Sequence, residues 1–178
     1  MKKKTIWDLN RDTVEQYKAK AKNPIAVVLD NVRSLNNIGS IFRTSDGFGI
    51  AKICLCGITA TPPSPEIHKT ALGAEDSVEW EYFDTTDKAL IALRAEGYMI
   101  CCLEQAVDSV ALQDFKVELG KKYAIVAGHE VNGVDQAIVD SSDICIEIPQ
   151  VGTKHSLNVS VSTGIALWHL FQQMISEK

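Results

Sequence analysis

The sequence predicts an α/β fold in which helices cover both faces of a mostly parallel sheet. Segments with the apolar character of strands alternate with segments of helical periodicity along almost the whole chain. Several of the strand segments are continuous apolar runs, which is typical of parallel strands that are buried on both faces. With 178 residues, of which 46% are hydrophobic, the chain is long enough for one domain with a sizeable core.

The elements follow one another in a regular order that begins with the valine-rich strand PIAVVLD at 24–30. The next segment, NIGSIFRTSDGFG at 37–49, is predicted to be a helix that ends at a glycine. Thr86 and Gly97 are expected to cap and end a further helix. The proline-rich segment 59–76 has no clear period and is predicted to be a loop. The other predicted elements are strands at 51–58, 98–105, 122–128 and 144–149, and helices at 85–97, at 134–143 and from about 156 onward.

Charge divides the chain into two parts. Residues 1–22 contain seven Lys or Arg and three acidic residues, so that segment carries +4 while the remainder carries −9. The sequence therefore predicts a basic N-terminal arm or helix at 1–22 and a single domain at 23–178. The arm either contacts the phosphates of a nucleic acid or is a solvated helix. The net charge of −5 argues against a general nucleic-acid coat protein.

Composition also excludes several classes of protein. No apolar run approaches the roughly 20 residues that cross a bilayer. The start of the chain, MKKKTIWDLNRDT, lacks the apolar core of a signal peptide, so a cytoplasmic protein is expected. Five cysteines, an odd number, indicate reduced thiols and no disulfide framework. Cys54 and Cys56 share one face of a predicted strand and are expected to be buried, and no metal site is predicted because suitably spaced ligands are missing.

The helix at 37–49 has two contrasting faces. Ile38, Ile41 and Phe42 form an apolar stripe, whereas Arg43 lies among small residues on another face. Small neighbours let a ligand or another backbone approach closely. Taken alone, Arg43 is as compatible with a solvated surface position, and Asn37 with a helix cap.

Two further segments place glycine and small polar residues directly after a strand. The first is G-x-E-x-x-G, with Glu130 between two glycines that allow close approach to a ligand. It matches neither the dinucleotide fingerprint nor a P-loop, and Glu130 by itself can be a cap or a solvated acid. In the second, Pro149 and Gly152 shape a loop and Ser156 is well placed to cap the final helix.

The final helix is apolar on two sides and therefore needs two packing partners. One partner is the sheet of the same chain. The other is expected to be a second subunit, so the sequence predicts a homodimer. One apolar face comprises Leu157, Val161, Gly164, Trp168, Phe171 and Ile175, and the other comprises Val159, Ala166, Leu170 and Met174.

Taken together, three segments resemble the motifs of a known family. N-x-x-x-x-x-R-T, G-x-E-x-x-G and I-P-x-x-G-x-x-x-S-L-N-V-S-V, in this order, are similar to those of the SpoU (TrmH-type) RNA ribose methyltransferases of the SPOUT superfamily. The resemblance covers about 24–170. It implies an α/β fold with a C-terminal deep trefoil knot, a homodimer, and S-adenosylmethionine bound in the knotted loops. It further implies methyl transfer to a ribose 2′-hydroxyl of RNA, with S-adenosylhomocysteine as product and no metal.

The resemblance also implies roles for individual residues. The catalytic residues by position are Asn37, Arg43, Glu130, Ser156 and Asn158. Whether the arginine acts as a base or stabilises developing negative charge is left open. The implied cofactor contacts lie in four loops, with residues Leu103, Glu104, Gln105, Ala127, Gly128, His129, Glu130, Gly133, Ile148, Pro149, Gln150, Gly152, Ser156, Leu157 and Asn158. Gln150 departs from the family, which commonly has methionine or leucine there.

The RNA target is predicted less sharply than the chemistry. Several members of the family that modify ribosomal RNA have an additional N-terminal RNA-binding domain, whereas only about 23 residues precede the first strand here, and this favours tRNA, the target of several compact members, over rRNA. A non-catalytic RNA-binding protein with the same fold and a flavodoxin-like nucleotide or signalling module are the alternatives from other classes. The expected RNA contacts are Lys2, Lys3, Lys4, Arg11 and Lys18 of the arm and His68 and Lys69, although these last two are as compatible with a solvated loop.

Overall fold

The computed structural model describes residues 1–176, and its strands form one seven-stranded sheet. Every pairing in that sheet is parallel, so the predicted mostly parallel architecture is confirmed. The strand order is β3-β2-β1-β6-β4-β7-β5. The strands are β1 (Asn23–Asp30), β2 (Ile50–Cys56), β3 (Trp80–Phe83), β4 (Tyr98–Leu103), β5 (Val110–Ala111), β6 (Lys122–Ala127) and β7 (Ile144–Glu147).

Helices pack on both faces of this sheet and enclose two hydrophobic cores. Alternate residues of β1 point to opposite faces, so Val27 belongs to one core and Val28 to the other. The first core is closed by α2, α3 and α7, and the second by α5 and α6. The helices are α1 (Val14–Ala19), α2 (Leu35–Gly47), α3 (Pro65–Ala71), α4 (Ala74–Ser77), α5 (Thr86–Ala95), α6 (Gln136–Ser141) and α7 (Val159–Ser176).

The segment 59–76 is not the loop that the sequence predicts, because it contains α3 and most of α4. Ser64 caps α3 by accepting a hydrogen bond from the Ile67 N–H at 3.4 Å, and Pro65 stands in the first turn. Ile67 and Ala71 are buried one turn apart. Gly39 of α2 allows α3 to pack closely against α2, because a Cβ on Gly39 would collide with the backbone of α3.

Three expected helix caps are wrong in detail. Ser34, not Asn37, caps α2 by accepting from the Asn37 N–H at 3.3 Å. Thr86 lies inside α5, and its hydroxyl donates to the buried carboxylate of Asp30 at 2.6 Å. The final helix begins at Val159, and the Asn158 side-chain oxygen accepts from the N–H groups of residues 160 and 161 at 3.0 and 3.3 Å. Ser156 is therefore a loop residue and not the cap.

The basic N-terminal segment contains a helix that packs on the body of the protein. Helix α1 begins at a capping box of Thr13 and Gln16 and contacts α4. Half-buried Tyr17 anchors it, with the Lys22 ammonium 4.0 Å from the centre of the tyrosine ring. The boundary between an arm at 1–22 and a domain from 23 remains a prediction.

The cysteines are arranged as the sequence predicts. All five are free thiols, and Cys54 and Cys56 are buried in the same core. Burial raises the pKa of the Cys54 thiol to about 12, so it remains protonated at neutral pH. Across residues 1–176, no cluster of His, Cys, Asp and Glu is arranged to hold a metal ion. Within the same range, no helix is both long and apolar enough to span a membrane.

Candidate active site

A cavity of about 720 Å³ opens beyond the carboxyl ends of β4, β6 and β7. This is the edge at which ligands gather in open parallel sheets. Its walls include the last residues of two strands, Leu103 and Ala127, together with Ile148 just after the third. The other residues predicted to contact a cofactor that line it are Glu104, Gln105, Gly128, His129, Glu130, Gly133, Gln150, Ser156 and Leu157.

A second cavity of about 430 Å³ adjoins the first. It is formed by the loop that joins β7 to α7. Three predicted cofactor residues, Pro149, Gly152 and Asn158, line this second cavity and not the first. The two cavities share a wall made by Gln150, Ser156 and Leu157.

The loop after β6 is folded tightly against itself. His129 and Gly133 exchange two backbone hydrogen bonds of 3.0 and 2.9 Å. The backbone of this loop passes so close to Gly128 that a Cβ there would lie within 3.0 Å of Gly133 and Val134 backbone atoms. Gly133 has φ +70°, a conformation that favours glycine. Both glycines of the G-x-E-x-x-G segment are thus required by the turn itself.

Two contacts tie this loop and its neighbours together. The carboxylate of Glu104 accepts from the Val134 N–H at 3.1 Å, which links the end of β4 to the loop after β6. The side chain of Gln105 donates to the backbone carbonyl of His155 at 2.7 Å, which links the end of β4 to the loop before α7. The segments that follow β4, β6 and β7, which together contain the four stretches of implied cofactor contacts, therefore form one connected wall.

Glu130 is the centre of a hydrogen-bond network at the start of α2. Its carboxylate accepts from the N–H groups of Arg33 at 3.1 Å and Ser34 at 2.8 Å, and from the Asn37 side chain at 3.1 Å. Burial acts to raise the pKa of Glu130, but these hydrogen bonds outweigh it and lower the pKa below its ordinary value. Glu130 is therefore ionised at neutral pH.

Asn37 and Asn158 extend this network to the final helix. The Asn158 side chain donates to the Asn37 side-chain oxygen at 3.1 Å. Because the oxygen of Asn158 also caps α7, its position is held from both sides. A continuous chain of hydrogen bonds thus runs from Glu130 through Asn37 to Asn158, and it joins the three sequence motifs.

The other two predicted catalytic residues lie outside this chain of hydrogen bonds. Arg43 is exposed on α2 and has no hydrogen bond or ion pair with another described residue. Ser156 is exposed and lines both cavities, and its side chain likewise has no such partner within residues 1–176. The structure therefore brings together Asn37, Glu130 and Asn158 and leaves Arg43 and Ser156 available at the surface.

The residues predicted to contact RNA line neither of the two cavities. His68 and Lys69 lie on α3, where the His68 ring is 2.5 Å from the Glu75 carboxylate. Helix α4 contacts both α1, which bears Lys18, and α3. The other predicted contacts in the arm, Lys2, Lys3, Lys4 and Arg11, are exposed.

Sequence reasoning missed part of the site. Ser34 and Arg33 supply backbone donors to Glu130, and backbone donors leave no signature in side-chain patterns. Asp140 and Val139 of α6 line the first cavity. The only signal that could have indicated them is that α6 directly follows the G-x-E-x-x-G loop, so its side chains must lie near the cavity that this loop encloses.

The fold and the three joined motifs define this protein as a member of a methyltransferase family. The model of the SpoU rRNA Methylase family matches residues 24–168, and the chain belongs to that family.

Individual relatives agree with this assignment. The chain is 27% identical over 176 residues to the 23S rRNA (guanosine-2′-O-)-methyltransferase RlmB of Vibrio parahaemolyticus, covering 98% of this chain and 70% of that protein. Its fold is similar to the TrmH/SpoU tRNA modifying enzyme of A. aeolicus, with a TM-score of 0.80 at 27% identity over 92% of this chain and 82% of that one. An AdoMet-bound rRNA methyltransferase from Sinorhizobium meliloti also gives a TM-score of 0.80 at 27% identity, covering 86% of this chain and 58% of that one.

Proposed function

We propose that this protein transfers the methyl group of S-adenosylmethionine to a ribose 2′-hydroxyl of RNA. The observation that carries the proposal is the hydrogen-bond chain from Glu130 through Asn37 to Asn158, which unites three distant motifs beside a cavity at the sheet edge. The family and the names of its members support the same activity. The proposal also assigns the protein to the cytoplasm, where its RNA substrates are found.

The residues of the first cavity fit this cofactor. S-adenosylmethionine carries a positively charged sulfonium, and the residues that line the cavity include Glu104, Glu130 and Asp140 but, within residues 1–176, no Lys or Arg. Main chain of the loop after β6 and of Ile148 lies along the wall of the cavity, and small-molecule sites use a few such backbone groups to orient a ligand. A volume of about 720 Å³ is in the range of small-molecule sites.

Methyl transfer depends mainly on how the protein positions the cofactor and the ribose, and it needs no covalent bond between the protein and either of them. Bound S-adenosylmethionine would supply the methyl group: the ribose oxygen would bond to the methyl carbon while the carbon–sulfur bond would break with its electron pair on sulfur, and the hydroxyl proton would pass to solvent or a base. We assign Arg43 to stabilise the developing negative charge on the ribose oxygen, because a guanidinium is a cation with several hydrogen-bond donors. Asn37, Glu130 and Asn158 hold the groups around the reacting atoms in place.

We also propose that the protein is a homodimer in which α7 forms the interface. The face of α7 that does not enter the core is apolar and exposed, with Val161 and Trp168 each 51% exposed and Ile175 45% exposed. Phe48 of the loop after α2 packs on Trp168 at a ring-centroid distance of 5.7 Å, which broadens the patch. Trp168→Glu would place a charge in this interface, and we expect it to give monomers in analytical ultracentrifugation where the unchanged protein gives dimers.

The proposal includes the deep trefoil knot of the SPOUT fold. It is supported by membership of the family and by the close association of the loop before α7 with the end of β4 through Gln105 and His155. Protein that carries such a knot is expected to refold slowly, because the chain end must be threaded before the last contacts form.

Two classes of RNA, tRNA and rRNA, are candidates for the substrate. The curated relative in Vibrio parahaemolyticus is named for 23S rRNA, whereas the enzyme of A. aeolicus is named for tRNA. The preference for tRNA stays a prediction, with rRNA as the alternative that the curated relatives favour.

One experiment tests the activity and identifies the substrate. Purified protein and methyl-labelled S-adenosylmethionine are incubated with total RNA from a strain that lacks this gene, and the labelled 2′-O-methyl position is mapped. Arg43→Lys is expected to abolish most turnover while cofactor affinity, measured by calorimetry, is retained. Near wild-type methylation by that variant would contradict the role of Arg43. A protein that binds no S-adenosylmethionine would contradict the whole proposal and favour a non-catalytic RNA-binding protein.

A further inference from the structure

Asp30 is a buried carboxylate that the proposed mechanism does not use. It is the last residue of β1 and is only 2% exposed. Its Oδ1 accepts from the Thr86 hydroxyl at 2.6 Å and from the Asn31 side chain at 2.9 Å. Its Oδ2 accepts from the Asp135 N–H at 3.0 Å. No ion pair within residues 1–176 involves Asp30, and a carboxylate buried away from any cation costs free energy, which points to a role in geometry.

The segment after β6 is held from both sides. Strand β6 lies between β1 and β4 in the sheet. The Val134 N–H donates to the carboxylate of Glu104, which directly follows β4. The next N–H, that of Asp135, donates to Asp30 at the end of β1. Carboxylates from the two neighbouring strands therefore hold two consecutive backbone groups at the end of the loop that forms part of the cavity wall.

The bond to Asp30 lies at the start of α6. The Asp135 side chain caps this helix by accepting from the Ala137 N–H at 2.9 Å. Val139 and Asp140 of α6 line the first cavity, whereas Asp30 lines neither cavity. The bond from Asp135 to Asp30 thus fixes where α6 begins, and with it the position of this part of the wall.

We propose that Asp30 is a positioning residue of the cofactor cavity, which holds the start of α6 in place without contact with the ligand. This inference rests on the proposed function and adds to it a residue outside both cavities. The residues of α5 line neither cavity, so the bond from Thr86 to the same carboxylate serves the junction with α5. The bonds to Thr86 and to Asp135 can therefore be tested separately.

The test compares the double variant Asp30→Val/Thr86→Val with Thr86→Val alone. The double variant replaces a buried polar pair by an apolar pair of similar shape, a change that can be nearly neutral for stability. The two proteins differ only at Asp30. In calorimetric titration, the Kd for S-adenosylmethionine is expected to be about tenfold weaker in the double variant, and Thr86→Val should stay within about twofold of the unchanged protein, because only the double variant lacks support for the wall.

Amide hydrogen exchange, followed by NMR without cofactor, reads the bond itself. The Asp135 amide should exchange about tenfold faster in the double variant than in Thr86→Val, whereas the Val134 amide, which donates to Glu104, should change by less than about threefold. Asp135→Pro removes the same bond from its other end, at a φ of −55° that proline adopts. Its control is Asp135→Ala, because both variants lose the side-chain cap and only proline loses the N–H. This second pair applies if the double variant does not fold.

Equal cofactor affinities within either pair of variants would refute the proposal, and so would equal exchange of the Asp135 amide in the first pair. A purely structural role would lower stability in urea unfolding and leave the affinity of the folded protein unchanged. If the unchanged protein binds no S-adenosylmethionine, the proposed function fails, and the exchange of the Asp135 amide by itself then supports or refutes the role of Asp30 at the start of α6.

Discussion

Replacement of Gly128 by alanine tests how tightly the loop after β6 is built. The added methyl group would lie within 3.0 Å of Gly133 and Val134 backbone atoms, a distance that real Cβ atoms essentially never show. Because these neighbours are main chain, they cannot rotate away as a flexible side chain would. The loop must therefore move, and its hydrogen bonds move with it.

The cost can be worked from the contacts that would break. The displaced segment makes two neutral hydrogen bonds between His129 and Gly133, and one from the Val134 N–H to the Glu104 carboxylate. A neutral hydrogen bond contributes a net ~1 kcal/mol and one to a charged group about 1.5–3 kcal/mol. Loss of all three would lower the free energy of unfolding by about 3–5 kcal/mol. Affinity for S-adenosylmethionine should fall as well, since this loop forms part of the cavity wall.

Urea unfolding measures the free energy of unfolding, and a separate calorimetric titration of the folded protein measures the affinity for S-adenosylmethionine. Gly47→Ala is the matched control, because the same methyl group there would meet no atom within 4 Å at the last residue of α2. We expect the control to be neutral or slightly stabilising, since alanine favours helix over glycine by about 1 kcal/mol at most. A Gly128→Ala protein with the stability and cofactor affinity of the control would refute this account of the loop.

Two further predictions concern the hydrogen-bond chain. Glu130→Gln should destabilise the protein most near neutral pH, because the lowered pKa of Glu130 means that its carboxylate adds stability above its ordinary value of 4.5. That contribution is lost as the pH falls through the lowered pKa, so unfolding curves of the two proteins should converge in acid, and a constant difference would contradict the assignment. Asn158→Ala should cost about 1–3 kcal/mol from the lost cap and the lost bond to Asn37. Asn158→Ser should recover only the cap, so equal urea midpoints for the two variants would show that capping contributes nothing.

The alternation of elements could be predicted from the sequence because each long segment shows its own period. Strand β1 is a continuous apolar run, and Ile38, Ile41 and Phe42 mark the buried face of α2, as the structure confirms. The short helices of 59–76 could not be predicted in the same way. Helix α3 has only Ile67 and Ala71 as buried positions, and two positions do not establish a period. Strand β5 has two residues and is fixed by its neighbour β7 alone.

Parts of the site escaped prediction for a different reason. Which residue caps a helix depends on where its first turn begins, and sequence alone places such boundaries within a few residues. Asn37 and Thr86 were plausible caps, but each lies inside its helix and directs its side chain to a carboxylate, Glu130 and Asp30 respectively. The partners are 93 and 56 residues away along the chain, so only the fold brings them together.

The contacts of Asn158 explain why the N-terminal cap of α7 is an asparagine. Capping needs an acceptor for the N–H groups of the first turn, and serine, aspartate or asparagine can supply it. The bond to Asn37 needs a donor at the same time, because the Asn37 amide already donates to Glu130 and presents its oxygen. Aspartate has no donor when ionised and would add a second negative charge near Glu130. An amide at position 158 satisfies both contacts at once, and this couples the start of α7 to the site that the other two motifs build.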